Sequence, residues 1–314
     1  MINVVSHYYP ASLEEALDLM ASRELTPIAG GTDLVPQMRD GEPRALIDVA
    51  RLGLNYVRVA EGALEIGPCV THSNLCCDRD VVRFLPLLSS AAGVIGAVQI
   101  RNRGTIGGNV VNASPSADTV PALLNYDAEV VLVSKAGRRR MKLEEFVKRP
   151  YVTDRKPGEL LTSIVCKTSG ATAVVAARAA GEVPSGAPGG APSAALGLEV
   201  GTCFLKLGRR NAMNISRMSL AVLLTVGADR RIGSARVSAG AVFPVAKRML
   251  EVERLLAGQI VSTKLFQEAG LLATELLVKE TGIRWSTPYK MPVLKGLLER
   301  ALHRAAENSG VTAE

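Results

Sequence analysis

Two segments among the first 110 residues carry paired glycines where the chain turns. They are AGGTDL at residues 29–34, which follows a strand-like stretch, and QIRNRGTIGGN at residues 99–109. Glycine has no β-carbon, so its backbone N–H groups are open to an approaching anion. Most single Gly-Gly turns are structural, but two in one domain favour a shared ligand such as a pyrophosphate-bridged dinucleotide. Hydroxyl or amide side chains flank both segments: Thr32, Thr105, Asn109 and Ser114.

The length and composition describe a folded chain of about two domains. It has 314 residues, of which 47% are apolar and 21% charged, so wholesale disorder is excluded. No run approaches the ~18 uninterrupted apolar residues of a membrane helix, and the N-terminal sequence does not resemble a secretory signal. We therefore expect a cytoplasmic protein without a transmembrane segment.

The charge and the cysteines restrict the possible partners. The net charge of +7 is compatible with nucleic acid, an anionic cofactor or an acidic protein surface. Aromatic residues make up only 4% of the chain, which argues against base stacking and hence against nucleic acid.

The five cysteines show no CxxC spacing, so neither a disulfide framework nor a zinc ribbon is expected. We predict reduced thiols and no metal site.

Several catalytic motifs are absent. The chain has no GxxxxGK[ST], GxGxxG, HExxH or GxSxG sequence. The three histidines, His7, His72 and His303, are each best interpreted as surface residues. No catalytic side chain is predicted.

Local patterns predict the elements of the first half. Ser12 and Glu15 form a capping-box pattern for a helix over about residues 12–21. Residues 57–66 alternate around a Glu-Gly turn and predict a hairpin. A buried helix is expected over 87–98, and a buried strand over 129–134.

Residues 171–197 consist mainly of Ala, Gly, Pro and Ser and predict a flexible insertion or linker. Beyond it, strands are expected at 203–207, 220–225 and 236–242. Helices are expected over roughly 246–257, 264–280 and 289–307.

Longer motifs connect the chain to a known family. These are AGGTDL, GPCVTHS at 67–73, QIRNRGTIGGN, and ASPSAD at 113–118. They closely resemble the FAD-binding middle subunit of molybdenum hydroxylases, the family of xanthine dehydrogenase, carbon monoxide dehydrogenase and 4-hydroxybenzoyl-CoA reductase. FLKLGRR at 204–210 and SAGAV at 238–242 resemble the same family's C-terminal domain.

The resemblance implies an α+β fold. A vanillyl-alcohol-oxidase-like (PCMH-type) FAD-binding domain would occupy residues 1–167, with α/β subdomains at about 1–55 and 56–167. Residues 168–200 would be the Ala/Gly/Pro-rich insertion or linker. Residues 201–314 would form a small α+β C-terminal domain.

The resemblance also implies a set of cofactor contacts. Backbone groups of residues 29–34 and 105–109 would hold the FAD pyrophosphate, and Ser114 and Asp118 match positions at the ribityl or diphosphate region. Leu161 and Lys206 match positions near the isoalloxazine ring. The full predicted set is Ile28, Ala29, Gly30, Gly31, Thr32, Asp33, Leu34, Thr105, Ile106, Gly107, Gly108, Asn109, Ser114, Asp118, Leu161 and Lys206.

Structural alternatives stay open for several of these residues. Asp118 is equally compatible with capping the following helix. Lys206 lies in a basic cluster that is also explained as a solvated strand end. Cys76 and Cys77 are predicted to be ordinary thiols, because adjacent cysteines are an unusual pair of ligands for one metal.

By resemblance, the chain is the flavoprotein electron-transfer subunit of a heterotrimer or a dimer of heterotrimers. A large subunit would bind molybdopterin, and a small subunit would carry two [2Fe-2S] clusters. FAD in this chain would pass the electrons to NAD+, oxygen, a quinone or another acceptor. A stand-alone FAD/NAD-linked oxidoreductase and a flavin-free scaffold subunit are the alternatives.

Two departures from the family pattern narrow this expectation. No four-cysteine loop is present, which argues against the iron–sulfur cluster of the 4-hydroxybenzoyl-CoA reductase subclass. Thr32-Asp33 replaces the His-Ser of the AGGHS form found in carbon monoxide dehydrogenases, which argues against carbon monoxide as substrate.

Overall fold

A computed structural model describes residues 4–39, 41–60, 62–168, 198–210 and 213–314. The predicted insertion at 171–197 lies outside the described residues. The described part contains three sheets that position the site, together with one short strand pair, and three hydrophobic cores. This mixture of helices and sheets confirms the predicted α+β class. None of the described helices is long and apolar enough to cross a membrane.

The N-terminal sheet has three parallel strands in the order β1-β3-β2. Helix α1 covers it through Ala16, Leu17 and Met20, which recur at helical spacing. The predicted capping is confirmed, because Ser12 Oγ accepts the Glu15 N–H at 3.1 Å. The elements are β1 (Val4–Tyr8), α1 (Leu13–Ser22), β2 (Thr26–Ile28), α2 (Leu34–Gln37) and β3 (Arg44–Asp48).

The second sheet is antiparallel, with five strands in the order β4-β5-β10-β6-β7. The hairpin predicted over 57–66 forms strands β4 and β5. The strands are β4 (Val57–Ala60), β5 (Ala63–Ile66), β6 (Glu129–Ser134), β7 (Gly137–Lys142) and β10 (Leu160–Lys167), with a separate short pair β8 (Val147–Arg149) and β9 (Val152–Thr153).

Short helices connect strands β5 and β6. They are α3 (His72–Cys77), α4 (Arg79–Phe84), α5 (Pro86–Gly93), α6 (Val98–Arg103), α7 (Ile106–Asn112) and α8 (Thr119–Asn125), and α9 (Leu143–Phe146) follows β7. The single helix predicted over 87–98 is wrong. Helix α5 ends at Gly93, and Gly96 has a left-handed φ of 48° that breaks the helical path before α6.

The C-terminal sheet has four antiparallel strands in chain order, followed by three helices that agree with the predicted positions. All nine residues of the second strand, β12, are buried. The elements are β11 (Glu199–Leu207), β12 (Met218–Val226), β13 (Ile232–Gly240), β14 (Lys247–Arg248), α10 (Leu250–Leu256), α11 (Thr263–Thr281) and α12 (Thr287–Asn308).

Strand β12 is buried because it is covered on both faces. Leu220, Val222 and Leu224 belong to the core formed with the C-terminal helices, whereas Ala221 and Leu223 belong to the core of the second sheet. Alternate side chains of a strand point to opposite faces, so one strand joins two cores. A continuous apolar run is therefore required here.

A close backbone contact between β11 and α12 gives a test of this packing. A β-carbon on Gly201 would lie 1.7 Å from the carbonyl oxygen of Ala305. Gly201→Ala should therefore lower the free energy of unfolding by about 1–3 kcal/mol, since helix and strand must separate. Urea denaturation measures this, with Gly296→Ala as the matched control. Gly296 is also in α12, but a β-carbon there would meet no heavy atom within 4 Å, so alanine should stabilise by about 0.5–1 kcal/mol.

Candidate functional site

The two glycine segments meet in one cleft. Its volume is ≈ 730 Å³, and its walls come from the N-terminal sheet, from helix α7 and from the start of β10. A β-carbon on Gly30 would lie 1.7 Å from the carbonyl oxygen of Arg103, so the segments touch through their backbones. A cavity of this size is in the range that holds cofactors and small ligands.

The first segment lines this cleft and has backbone donors without a hydrogen-bond partner. Gly31 has a φ of 69°, which turns the chain from β2 into α2. Among the hydrogen bonds of the described residues, none has the N–H of Gly30, Gly31, Thr32 or Asp33 as donor. Successive free N–H groups at the start of a helix attract anions.

The second segment is built differently from the predicted loop. It consists of helix α6, Gly104 and helix α7, with Thr105 capping α7 through its hydroxyl. The N–H groups of Ile106 and Gly107 donate to carbonyl oxygens, and that of Gly108 donates to Thr105 Oγ1 at 3.1 Å. This segment therefore contributes a surface free of side-chain bulk rather than open donors.

Most of the predicted contacts line the cleft. All residues of 28–34 do so, together with Thr105, Gly107, Gly108, Asn109 and Leu161. Asn109 Oδ1 accepts a hydrogen bond from Thr119 at 2.6 Å, and no hydrogen bond within the described residues uses its amide nitrogen. Ile106 is fully buried beneath the cleft. Ser114, Asp118 and Lys206 are not among the lining residues.

Asp118 and Lys206 form a buried ion pair between the N-terminal and C-terminal halves. Lys206 Nζ lies 2.7 Å from Asp118 Oδ2 and 3.1 Å from the Val94 carbonyl oxygen. Ser216 Oγ donates to Asp118 Oδ1 at 2.5 Å. Burial raises the pKa of Asp118, and the lysine charge opposes that rise. Asp118 makes no side-chain cap bond to helix α8, so the capping alternative is wrong. The solvated strand end considered for Lys206 is also wrong, because its side chain is 9% exposed.

Asp33 bonds across the cleft rather than capping helix α2. Its carboxylate accepts the Asn112 side-chain N–H at 3.2 Å, and it makes no side-chain cap bond. Burial raises the pKa of Asp33, and the Asn112 hydrogen bond opposes the rise. The side chains of Asp33 and Asn112 thus link α2 to α7 across the cleft.

The sequence did not indicate four further charged or aromatic residues that line the cleft. They are Arg44, His72, Tyr151 and Arg155. Half-buried Arg155 has a hydrogen bond to the Glu159 carbonyl oxygen at 2.9 Å, and burial lowers its pKa. Two arginines in the lining give the cleft positive charge that an anionic ligand requires. His72 belongs to the GPCVTHS motif but was not predicted in the site, and no local motif marks the other three, which come from distant parts of the chain.

The prediction of a surface position is wrong for His72, although His7 is exposed. The His72 side chain is 3% exposed, and its Nδ1 has no hydrogen-bond partner. A β-carbon on Gly104 would lie 3.1 Å from His72 Cδ2 and 3.2 Å from Thr32 Oγ1, so the ring lies where both segments meet. Burial, and secondarily the Arg101 charge, lower the pKa of His72 to about 4.

This lowered pKa predicts a specific acid sensitivity. Burial favours the neutral form of His72 in the folded state. Its contribution to the free energy of unfolding is fully present above the unfolded-state pKa of about 6.5, and roughly 3 kcal/mol is lost as the pH falls to 4. His72→Gln should therefore lose less unfolding free energy than the wild type between about pH 7.5 and pH 4. Urea denaturation at both pH values tests this, with His7→Gln as the control. Equal losses in wild type and His72→Gln would contradict it.

Cys69 is the cysteine among the lining residues of the cleft, and it is not placed as a reactive thiolate. The Cys69 thiol donates to the Val49 carbonyl oxygen, and burial raises its pKa to about 11. All five cysteines are free thiols. Within the described ranges, no group of three or more His, Cys, Asp or Glu residues is placed to hold a metal ion.

These features fit a dinucleotide cofactor. The free N–H groups of 30–33 and the arginines in the lining suit a pyrophosphate, and exposed Gly108 leaves space that a side chain would fill. A β-carbon on Gly107 would lie 2.3 Å from Pro68, whereas one on Gly108 would meet only Thr105 Oγ1, at 3.1 Å. Gly107 is therefore required by packing, and Gly108 borders the open cleft.

Comparisons with known proteins identify relatives of similar sequence. Glyceraldehyde dehydrogenase medium chain of Sulfolobus acidocaldarius is 28% identical over 305 residues, which cover 96% of this chain and 98% of that one. Nicotinate dehydrogenase FAD-subunit of Eubacterium barkeri is 40% identical over 145 residues, 44% of this chain and 49% of that one.

Solved structures agree over the whole chain. Quinoline 2-oxidoreductase from Pseudomonas putida 86 matches with a TM-score of 0.81 and 25% identity, covering 97% of both chains. Carbon monoxide dehydrogenase from Hydrogenophaga pseudoflava matches with a TM-score of 0.82 and 24% identity, covering 98% of this chain and 99% of that one, which shows the common fold.

Family models identify both halves of the chain. Residues 203–305 match the CO dehydrogenase flavoprotein C-terminal domain. Residues 3–166, just over half of the chain, match the FAD binding domain in molybdopterin dehydrogenase. The chain therefore belongs to the family of FAD-binding subunits of molybdopterin dehydrogenases.

Proposed function

We propose that the chain binds FAD in the cleft and is the flavoprotein electron-transfer subunit of a molybdopterin-dependent hydroxylase or dehydrogenase. The observation that carries this proposal is the row of N–H groups at residues 30–33 without a hydrogen-bond acceptor, in a segment that lines the same cleft as exposed Gly108. A ligand held by the N–H groups of the first segment and by the arginines in the lining, and lying against the second segment at Gly108, is an elongated anion. FAD has this shape and charge.

Each part of the site has a binding or orienting role. The N–H groups of the first segment hold the pyrophosphate, and Arg44 and Arg155 offset its charge. Asn109 offers an amide donor from the opposite wall, while Leu161 excludes water from the flavin. When bound, FAD supplies a centre that collects electrons and delivers them to an acceptor. No side chain here is assigned as a general acid or base.

Four predicted contacts, Ile106, Ser114, Asp118 and Lys206, lie outside the lining of the cleft, and the role of the last three is also part of the proposal. We assign Ser114, Asp118 and Lys206 to the end of the flavin that approaches the C-terminal half. The support is that the Asp118–Lys206 pair joins the two halves and that both side chains are at least nine-tenths buried. A charged pair in that position would act on the flavin electrostatically.

The proposal includes the domain division and the partners. Residues 1–167, with subdomains at about 1–55 and 56–167, would hold FAD, and 201–314 would complete the subunit. Electrons would come from [2Fe-2S] clusters of a small subunit, next to a large molybdopterin subunit, and leave to NAD+, oxygen or a quinone. The relatives support this, since they include the medium subunit of nicotine 6-hydroxylase and the subunit alpha of the 6-hydroxypseudooxynicotine dehydrogenase complex. We expect the complex in the cytoplasm.

Purification of the chain from its native source tests the proposal. We expect FAD, molybdenum and iron to co-purify in a fixed ratio. Substrate should reduce the flavin in the complete complex but not in the isolated chain. A yellow single chain that NADH reduces without partners would instead show the stand-alone oxidoreductase. A colourless chain in an otherwise complete complex would show the scaffold role.

A further inference from the structure

Cys76 and Cys77 form an adjacent pair of thiols at the end of helix α3. Their sulfur atoms are 3.5 Å apart. Cys77 is exposed and Cys76 is half-buried, with its thiol directed at the Ser73 carbonyl oxygen at 3.2 Å. The other three cysteines are buried. The pair is therefore the accessible dithiol of the described residues.

The sulfur separation determines what the pair can bind. Two metal–sulfur bonds of about 2.3 Å to sulfurs 3.5 Å apart enclose an angle of about 99°. Bent and pyramidal ions accept that angle, whereas an ion that requires a linear arrangement needs sulfurs about 4.6 Å apart. Because the two sulfurs already lie at the spacing that a bent or pyramidal ion accepts, binding such an ion does not require helix α3 to change.

A disulfide fits this pair less well. Neighbouring residues joined by a trans peptide have α-carbons about 3.8 Å apart, below the ~4.4 Å minimum usual for disulfides. No cis peptide bond occurs in the described residues. Chelation of an ion therefore needs less rearrangement than oxidation of the thiols.

We propose that Cys76 and Cys77 form a bidentate site for soft, thiophilic ions of bent geometry, of which trivalent arsenic is the chemical type. Two thiols react with arsenous acid so that two As–O bonds break, two As–S bonds form, and the thiol protons leave in two water molecules. No oxidant or reductant is needed. Thiolate sulfur is the ligand that such soft ions prefer.

The surroundings of the pair define the remaining coordination. No third His, Cys, Asp or Glu of the described residues joins the two thiols, so the third position belongs to hydroxide or an external thiol. Asp78, the next residue, is committed to capping helix α4 through two N–H groups. Burial, and after it Cys77, raise the pKa of the Cys76 thiol, and the Arg101 charge opposes that rise. Neither cysteine lines the flavin cleft, although both lie on helix α3, which begins at the cleft residue His72.

Phenylarsine oxide is a suitable probe, because it joins two thiols and releases one water. The reduced, purified chain, or the complex containing it, is titrated with the reagent, and the adduct is located by peptide mass. We expect one equivalent on the peptide that contains both cysteines. Its affinity, measured by competition with a monothiol, should be about 10²–10⁴-fold higher than in Cys76→Ser or Cys77→Ser, because the second bond is intramolecular.

Matched variants separate chelation from chance reaction. Cys203→Ser, which removes a buried thiol, should bind like the wild type. Thermal melting checks that each variant is folded, and if Cys76→Ser does not fold, exposed Cys77→Ser decides alone. An adduct of unchanged affinity in Cys77→Ser, or no adduct in the wild type, would overturn the proposal.

Discussion

Gly108→Asp should give a folded chain that no longer retains FAD. Gly108 lies in the first turn of α7 without a left-handed φ, so aspartate is compatible with the backbone and with the helix dipole. The new carboxylate would point from the wall that borders the open cleft. At about 4 Å from a phosphate charge it would cost roughly 4 kcal/mol, or about a thousandfold in affinity.

The isosteric variant Gly108→Asn is the matched control for this experiment. Asparagine has the same shape without the charge, so it should weaken FAD binding far less than aspartate. Both variants are titrated with FAD by flavin fluorescence, and circular dichroism monitors their fold. Stoichiometric FAD in purified Gly108→Asp would refute the placement of the pyrophosphate. Equal losses in the two variants would show that volume rather than charge matters there.

Lys206→Met should cause the largest loss of stability, about 3–5 kcal/mol, because it leaves a buried carboxylate without its partner. Methionine keeps the length of the side chain while removing the charge. The Asp118 side chain is 5% exposed, so solvent does not replace the lysine. Urea denaturation near pH 8 measures the loss. A loss below about 1 kcal/mol, as in a surface pair, would contradict the buried arrangement.

The pH dependence of this variant has a defined sign. Burial already raises the pKa of Asp118, and removal of the lysine charge raises it further. A folded-state pKa above the unfolded value of about 3.9 means that the folded state favours the protonated carboxyl. The loss in unfolding free energy that Lys206→Met shows relative to the wild type should therefore become smaller as the pH falls from 8 to 5. The double variant Asp118→Asn/Lys206→Met should recover most of the loss at pH 8.

FAD binding by these variants tests their assignment as cofactor contacts. If the pair acts on the flavin, Lys206→Met should change the flavin absorption spectrum or reduction potential under conditions where the protein is fully folded. The Asp118→Asn variant, which keeps hydrogen-bonding capacity, should change them less. If the flavin spectrum and reduction potential are unaltered in folded Lys206→Met, the pair does not act on the flavin and only connects the two halves of the chain.

Much of the secondary structure follows from local patterns. The capping box at Ser12, the hairpin over 57–66 and the apolar strand at 220–225 are each predicted from residues close in sequence and are present. The long helix over 87–98 is wrong because apolar periodicity alone does not show where Gly96 takes a left-handed φ. Likewise, the glycines at 107 and 108 are predicted in a loop but lie in the first turn of a helix.

The sequence by itself determined the family, the fold class and the two glycine segments, because these depend on short motifs and on local preference. Only the tertiary structure decided which groups meet. His72 is buried at the junction of the segments, and Asp118 pairs with Lys206 across 88 residues. The open donors belong to the first segment alone, because the N–H groups of residues 106–109 in the second segment donate to Val70, Pro68 and Thr105. Such pairings depend on burial and long-range packing, which no local pattern records.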